Sequence, residues 1–248
     1  MEDGKLKVRA VDRALDILLC FTRKESLSLT EIAGEVELHK STVHRLMTTL
    51  EEKGFVSRDA STEKYRLGIK IWELSAHLSN TDDPALLLLP SMEKLRDELD
   101  ETVSLYVLDG RERLRIQAVQ SNQAIRRVAP VGARLPLYVG ASSKALVAFS
   151  GEREQEHILS DPIWPDSVSR TAFRDQLRVI RARGYAMSVE EREQGATSVA
   201  APIFDLKGNL AAALSVSGPL ARLPVEKLES YAPLLMERAR EMGMMIRG

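Results

Sequence analysis

The chain has 248 residues, 44% of them hydrophobic and 29% charged, which is ordinary for a globular protein with one large domain or two modest ones. A formal net charge of −1 supplies no global basic field, so any affinity for nucleic acid has to be local. Cys20 is the one cysteine, which excludes a disulfide framework within a single chain and suits a reducing compartment.

The opening residues, MEDGKLKVRAVDR, are charged and lack the apolar run of a signal peptide. The longest apolar run, Ala85 to Leu89, is far too short to span a bilayer, so a soluble cytoplasmic protein with no membrane partner is expected. From Val11 to Phe21, residues Val11, Ala14, Leu15, Leu18 and Leu19 recur at helical spacing, with Cys20 beside them in a packing role. Ser28 and Glu31 have capping-box spacing ahead of Ile32 and Val36, which predicts a short second helix. A third helix follows Leu38, with Val43, Leu46, Met47 and Leu50 inward and Gly54 as its stop. FVSRD and KYRLG flank ASTE and read as a hairpin. Helix, helix, turn, helix and hairpin in that order make a winged helix-turn-helix.

Leu67, Ile71, Leu74 and Leu78 fit a connecting helix that packs on its own domain or on a second chain. Asn80 to Asp83 form a polar boundary, with Asp83 as cap and Pro84 at the first helical position. The next helix runs to about Asp100 with a kink at Pro90. Val103, Leu105 and Val107, then Leu114, Ile116 and Ala118, alternate around a turn at Asp109-Gly110. A short helix is expected near Ala141 and a longer one over Arg170 to Arg183, closed by Gly184. Ser198 to Asp205 and Leu210 to Ser217 bracket a second hairpin turn. Pro224 opens a last helix with Leu228, Tyr231, Leu235, Ala239, Met242 and Ile246 on one stripe. Helices alternating with antiparallel pairs imply an α+β second domain. The expected boundaries are 1–67 for the winged helix, 68–82 for the linker helix and 83–248 for the second domain.

The chemistry of the third helix is selective. His39 and His44 are five residues apart, about 140° around a helix, so they do not share the face a zinc site requires. A P-loop, a G-x-S-x-G elbow and a Gly-rich dinucleotide turn are all absent, so no metal, cofactor or catalytic residue is expected. With the apolar residues inward, Lys40, Ser41, Thr42, His44, Arg45 and Thr48 fall on exposed or flanking faces. Lysine and arginine neutralise phosphates and read guanine edges, while short hydroxyls bond phosphates without blocking the groove. Arg58, Lys64 and Arg66 on the hairpin can reach the adjacent backbone. Residues 1–68 hold 12 Lys+Arg and 12 Asp+Glu, but no acid falls between Leu38 and Leu50.

LTEIAGEVELHKSTVHRLMTTLEEKGFVSRD, YRLG, PLYVGASSKALVAF, RGYAMSVEEREQGATSVAAPIFD and AAALSVSGP together resemble the IclR family of bacterial transcriptional regulators along essentially the whole chain. The resemblance implies a winged helix joined by a linker helix to a GAF-like effector-binding domain, acting as a dimer or tetramer on palindromic operator DNA. It puts Lys40 to Thr48 on the recognition helix. It also implies an effector pocket at Gly140 and Ala141, whose amides hold ligand oxygens, and at Ser188, Ser198, Ser215 and Ser217. Ser188 and Ser198 stand where some small-acid-binding members carry aspartate and cysteine, which disfavours a glyoxylate-like ligand. Independently, Ala211, Ala213, Ser215 and Ser217 alternate as one small face, and Gly140 to Ser143 form a helix N-terminus that favours an anion. An organic acid could then be held without an arginine. Two rivals stand beside this effector-controlled repressor. One is an enzyme using Ser142 or Ser198 with His157, the second domain's one histidine; the other is a sensor acting through protein partners.

Overall fold

Ser28 begins a short helix in the way its spacing to Glu31 implies. Its Oγ accepts from the Glu31 N–H at 3.3 Å, and Glu31 Oε2 accepts from the Ser28 N–H at 2.8 Å. The computed structural model, which describes residues 8–79, 83–124 and 130–247, divides into units Met1–Thr81 and Asp82–Gly248. The first holds α1 (Arg9–Cys20), α2 (Leu29–Glu35), α3 (Lys40–Glu52), β1 (Val56–Arg58), β2 (Tyr65–Leu67) and α4 (Ile69–Ser79). β1 and β2 pair antiparallel with Val56 opposite Leu67. Leu27 and Tyr65 exchange backbone hydrogen bonds of 3.0 and 2.8 Å, which tie this wing to the segment before α2. Ile17, Leu27, Ile32, Val43, Met47 and Val56 form the buried core of the unit.

Two expectations for this unit are corrected. Val11, Leu15 and Leu19 are exposed, and α1 buries Ile17 and Cys20 instead, with Phe21 just past its end. The helix is apolar on two faces, and spacing alone does not say which one the domain covers. Leu67 belongs to β2 and not to the connecting helix, where Ile69, Trp72 and Leu74 are exposed. The Leu78 side chain and the turn at residues 80–82 lie outside the described residues.

In the second unit Asp83 caps α5 (Pro84–Leu87), its carboxylate accepting from the Ala85 N–H at 2.9 Å. The single kinked helix is in fact two, because the chain breaks at Leu88 and Pro90 lies in the first turn of α6 (Leu89–Leu99). Then come β3 (Thr102–Asp109), β4 (Glu112–Val119), β5 (Arg134–Pro136), α7 (Ala141–Phe149), α8 (Glu152–Leu159) and α9 (Arg170–Arg183). β6 (Ala186–Val189), β7 (Ala196–Phe204), β8 (Leu210–Pro219) and α10 (Val225–Gly243) complete the unit. Among the described residues the strands form one antiparallel sheet in the order β5-β4-β3-β8-β7-β6.

Both faces of that sheet are covered. Met92 and Leu95 of α6 and Leu228, Ala232 and Leu235 of α10 pack on Val103, Leu105, Val199 and Leu214. On the other face, Ala145 and Leu146 of α7 and Phe173, Leu177 and Ile180 of α9 pack on Tyr106, Ala200 and Ala213. Ala211 joins the first face rather than the small face expected of it, because the β7–β8 register shifts between Ile203 and Phe204. Among the described residues no helix is long and apolar enough to cross a membrane.

Candidate functional site

Small side chains on the α7 side of the sheet leave space beneath the start of that helix. Directly opposed residues of an antiparallel pair share a face, and the register sets Ser188 beside Ser198, and Ser198 beside Ser217. Ser215 lies two residues before Ser217 on the same face. These four serines border a cavity of about 320 Å3 together with Gly140, Ala141 and Ser142. All six residues expected at an effector pocket therefore meet around one space.

The sequence reading missed the charges there. Tyr106, Arg113, Arg115 and Arg192 also line the cavity, with Glu193 and Thr197. Arg113 and Arg115 are each only 3% exposed, more buried than Leu114 and Ile116 between and beside them. Arg113 Nη1 donates to Val139 O at 2.7 Å, and Arg115 Nη2 donates to Ser104 Oγ. Both guanidiniums lie against the Tyr106 ring, at 5.3 and 5.6 Å from its centroid. Arg113 Nε is buried and has no hydrogen-bond partner among the described residues. Burial pushes the Arg113 guanidinium down to about 10; Tyr106 and Glu191 oppose the shift, while Arg192 and Arg115 add to it. Burial also lowers Arg115. The arginine-free acid pocket is corrected accordingly.

The helix N-terminus is engaged in a way the sequence did not suggest. Glu191, between β6 and β7, accepts from the Gly140 N–H through Oε2 at 2.9 Å and pairs with Lys144 through Oε1. A carboxylate of the chain itself thus occupies the first amide of this turn. Gly140 has φ +93 and ψ 153, a conformation open essentially to glycine alone, and a Cβ there would lie 3.0 Å from Arg113 Nη1 and Nη2. Among the described residues no histidine lines the cavity, and His157 lies on α8 with Nε2 3.4 Å from Arg111 Nε.

On the first unit, Lys40, Ser41, His44, Arg45 and Thr48 form the exposed face of α3, with Thr42 half-buried at its flank. His39 caps this helix, its Nδ1 accepting from the Ser41 N–H at 3.3 Å and lying 2.8 Å from Ser41 Oγ. Ser41 Oγ therefore belongs to the cap, which leaves Lys40, His44 and Arg45 as the long side chains of that face. Thr48 Oγ1 donates to His44 O at 3.0 Å. On the wing, Arg58 pairs with Glu63, Lys64 is half-buried, and Arg66 Nε donates to Ser57 Oγ at 3.3 Å.

A winged helix with a basic, acid-free helix face, followed by a cavity-bearing α+β unit, defines the class of ligand-binding, DNA-binding transcriptional regulators. Residues 84–244 match the family described as "Bacterial transcriptional regulator IclR C-terminal", and residues 10–60 match the "IclR helix-turn-helix domain". The chain belongs to the IclR family. It is 33% identical to the HTH-type transcriptional regulator BhcR of Paracoccus denitrificans, over 95% of this chain and 86% of that protein. It is 28% identical to the transcriptional repressor IclR of Escherichia coli, over 96% and 90% of the two chains. The crystal structure of an IclR homologue from Microbacterium hydrocarbonoxydans complexed with 4-hydroxybenzoate superposes with a TM-score of 0.84 at 27% identity, covering 96% of this chain and 98% of that one.

Proposed function

We propose that this chain is an effector-controlled repressor, without enzymatic activity, that binds palindromic operator DNA as a homodimer or a pair of dimers. In this reading α3 enters the major groove, where Lys40, His44, Arg45 and Thr48 contact bases or phosphates, flanked by Ser41 and Thr42 at its start. Arg58 and Lys64 approach the neighbouring backbone. A small organic acid enters the cavity bordered by Gly140, Ala141, Ser188, Ser198, Ser215 and Ser217. Its binding favours one placement of the paired winged helices, which either matches or misses the half-site spacing.

The observation that carries the acid assignment is the buried, partnerless Nε of Arg113 inside a cavity rich in hydroxyls. The acid complex of the Microbacterium homologue supports the same class of ligand. Relatives named as repressors, among them the acetate operon repressor of Salmonella typhimurium, support the sign of regulation. A second copy is supported by the apolar face of α1, where Val8, Val11, Leu15 and Leu19 are exposed, and by Trp72 of α4, 73% exposed.

Operator binding by Lys40→Ala and Arg45→Ala, measured by fluorescence anisotropy at fixed salt, tests the DNA assignment. Each is expected to weaken specific binding by roughly 1–3 kcal/mol where the lost contact reads a base. Unchanged affinity in both variants removes α3 from the interface.

A further inference from the structure

Arg113 is a cation that folding has removed from water without giving it an ion-pair partner among the described residues, although Glu191 acts on it from a distance. It is 3% exposed, its Nε has no partner, and among the described residues no ion pair includes it. Leaving a buried guanidinium in this condition costs stability, so a chain that keeps it there keeps it for an anion that comes from outside. Arg115 lies two residues on, against the same Tyr106 ring, and Arg192 reaches the cavity from the β6–β7 connection. The lining then carries three arginines against one carboxylate, Glu193, a formal balance of +3 − 1 = +2. Lys144 does not add to this, because Glu191 pairs with it and also takes the Gly140 amide. Two of the three arginines are therefore on the β4 side, and the Gly140 amide of the helix end is already engaged.

The remaining lining is unsuited to a ring. Apart from the Tyr106 face, its apolar surface is Ala141 and Ala196, and the Thr197 hydroxyl already donates to Leu223 O at 2.8 Å, whereas Ser142, Ser188, Ser198, Ser215 and Ser217 present hydroxyls. An aromatic ring placed there would leave those hydroxyls without partners, while a hydroxylated ligand would satisfy them. A space of about 320 Å3 is at the small end of ligand pockets.

We infer that the effector is a compact hydroxylated dianion, with Arg113 and Arg192 selecting its second negative charge. The inference rests on the acid-effector reading above and narrows it. Two anionic groups match the +2 balance, and each can accept the forked hydrogen bonds of a guanidinium. Binding relieves the repulsion among the three arginines, which already helps to depress Arg113.

Calorimetry on the full chain tests this with four kinds of probe. L-malate and tartrate are hydroxylated dicarboxylates, and glycerol 3-phosphate carries the same charge on phosphate. D-glycerate is the matched monoacid, and 4-hydroxybenzoate is the aromatic one. At least one dianion is expected to bind at least about tenfold more tightly than D-glycerate and 4-hydroxybenzoate, as one additional charge-assisted contact implies. Whether tartrate and malate or glycerol 3-phosphate wins separates carboxylate from phosphate as the source of charge. Arg113→Met removes the preference, and Arg192→Met, on an exposed connection where folding is not at stake, reduces it several-fold. Monoacids that bind as tightly as every dianion overturn the dianion and leave the acid effector standing. The preference surviving intact in both variants overturns the assignment to these arginines. No binding by any of the acids overturns both readings together.

Discussion

Gly140 shows how one backbone position can govern the cavity. Its φ of +93 with ψ 153 is strained for any side chain, at a cost of about 1–3 kcal/mol, and an added methyl would press on the Arg113 guanidinium. Gly140→Ala is expected to lower the thermal midpoint and weaken acid binding together; a variant with full affinity would show that Arg113 does not hold the ligand. Arg113 also sets a pH dependence. Burial disfavours its charged form and brings it down to about 10, so the cation persists through neutral pH. Acid affinity measured by calorimetry should stay level through neutrality and fall as pH rises past about 10. The stability effect has the opposite sense. Below that pH the folded state bears a buried cation that the unfolded chain solvates freely, and this penalty shrinks as the group deprotonates.

At the scale of elements, the ends of helices and their closest approaches carry the stability. Removing the α2 cap by Ser28→Ala should cost the first unit about 1 kcal/mol in denaturant unfolding. Hydrogen bonds from the Ser28 backbone and side chain hold the Glu31 carboxyl below the usual carboxylate range. Its folded value is depressed, so the cap contributes above the ordinary carboxylate range and is lost as pH falls through the lowered value. In the second unit, α10 lies so close to β7 that a Cβ on Gly243 would sit 2.1 Å from Phe204 O. The opposing atom is backbone and cannot rotate away. Gly243→Ala is therefore expected to destabilise the second unit by about 1–3 kcal/mol, read as a lower unfolding midpoint, while the exposed face of α3 is untouched.

At the scale of the molecule, regulation requires a coupling free energy between the cavity and the DNA, and such coupling is reciprocal. If a saturating acid weakens operator binding by some factor, in the range of about 5–150-fold for ordinary allosteric proteins, saturating operator DNA must weaken acid binding by the same factor. Titrating each ligand in the presence and absence of the other checks this. An effector bound at a hundred times its dissociation constant should also add about 2.7 kcal/mol to the stability of the unit that binds it.

Much of the molecule was legible in the order of residues because its signals are short-range. The Ser28–Glu31 box, the run of α9 from Arg170 to Gly184 and the Asp83-Pro84 start each depend on residues a turn apart. The acid-free face of α3 is equally local, since helical phase alone separates Val43 and Met47 from Lys40, His44 and Arg45. Resemblance to the family supplied the six residues around the cavity, which the strand register then brought side by side. What local pattern could not supply was which faces are interior. In RERLRIQAV the period of two separates the arginines from Leu114 and Ile116, and ordinarily the arginines would be the solvent face. Here that face meets Tyr106 and the Val139–Gly140 turn ahead of α7, so it encloses the cavity and buries Arg113 and Arg115. In α1, by contrast, Val11, Leu15 and Leu19 have helical spacing yet remain exposed. The sequence by itself determined most of the elements, the α2 and α5 caps and the exposed basic face of α3, because those follow from chain geometry over a few residues. Only the tertiary structure decided where the charge of the effector site lies, because burial depends on what long-range packing sets against each face.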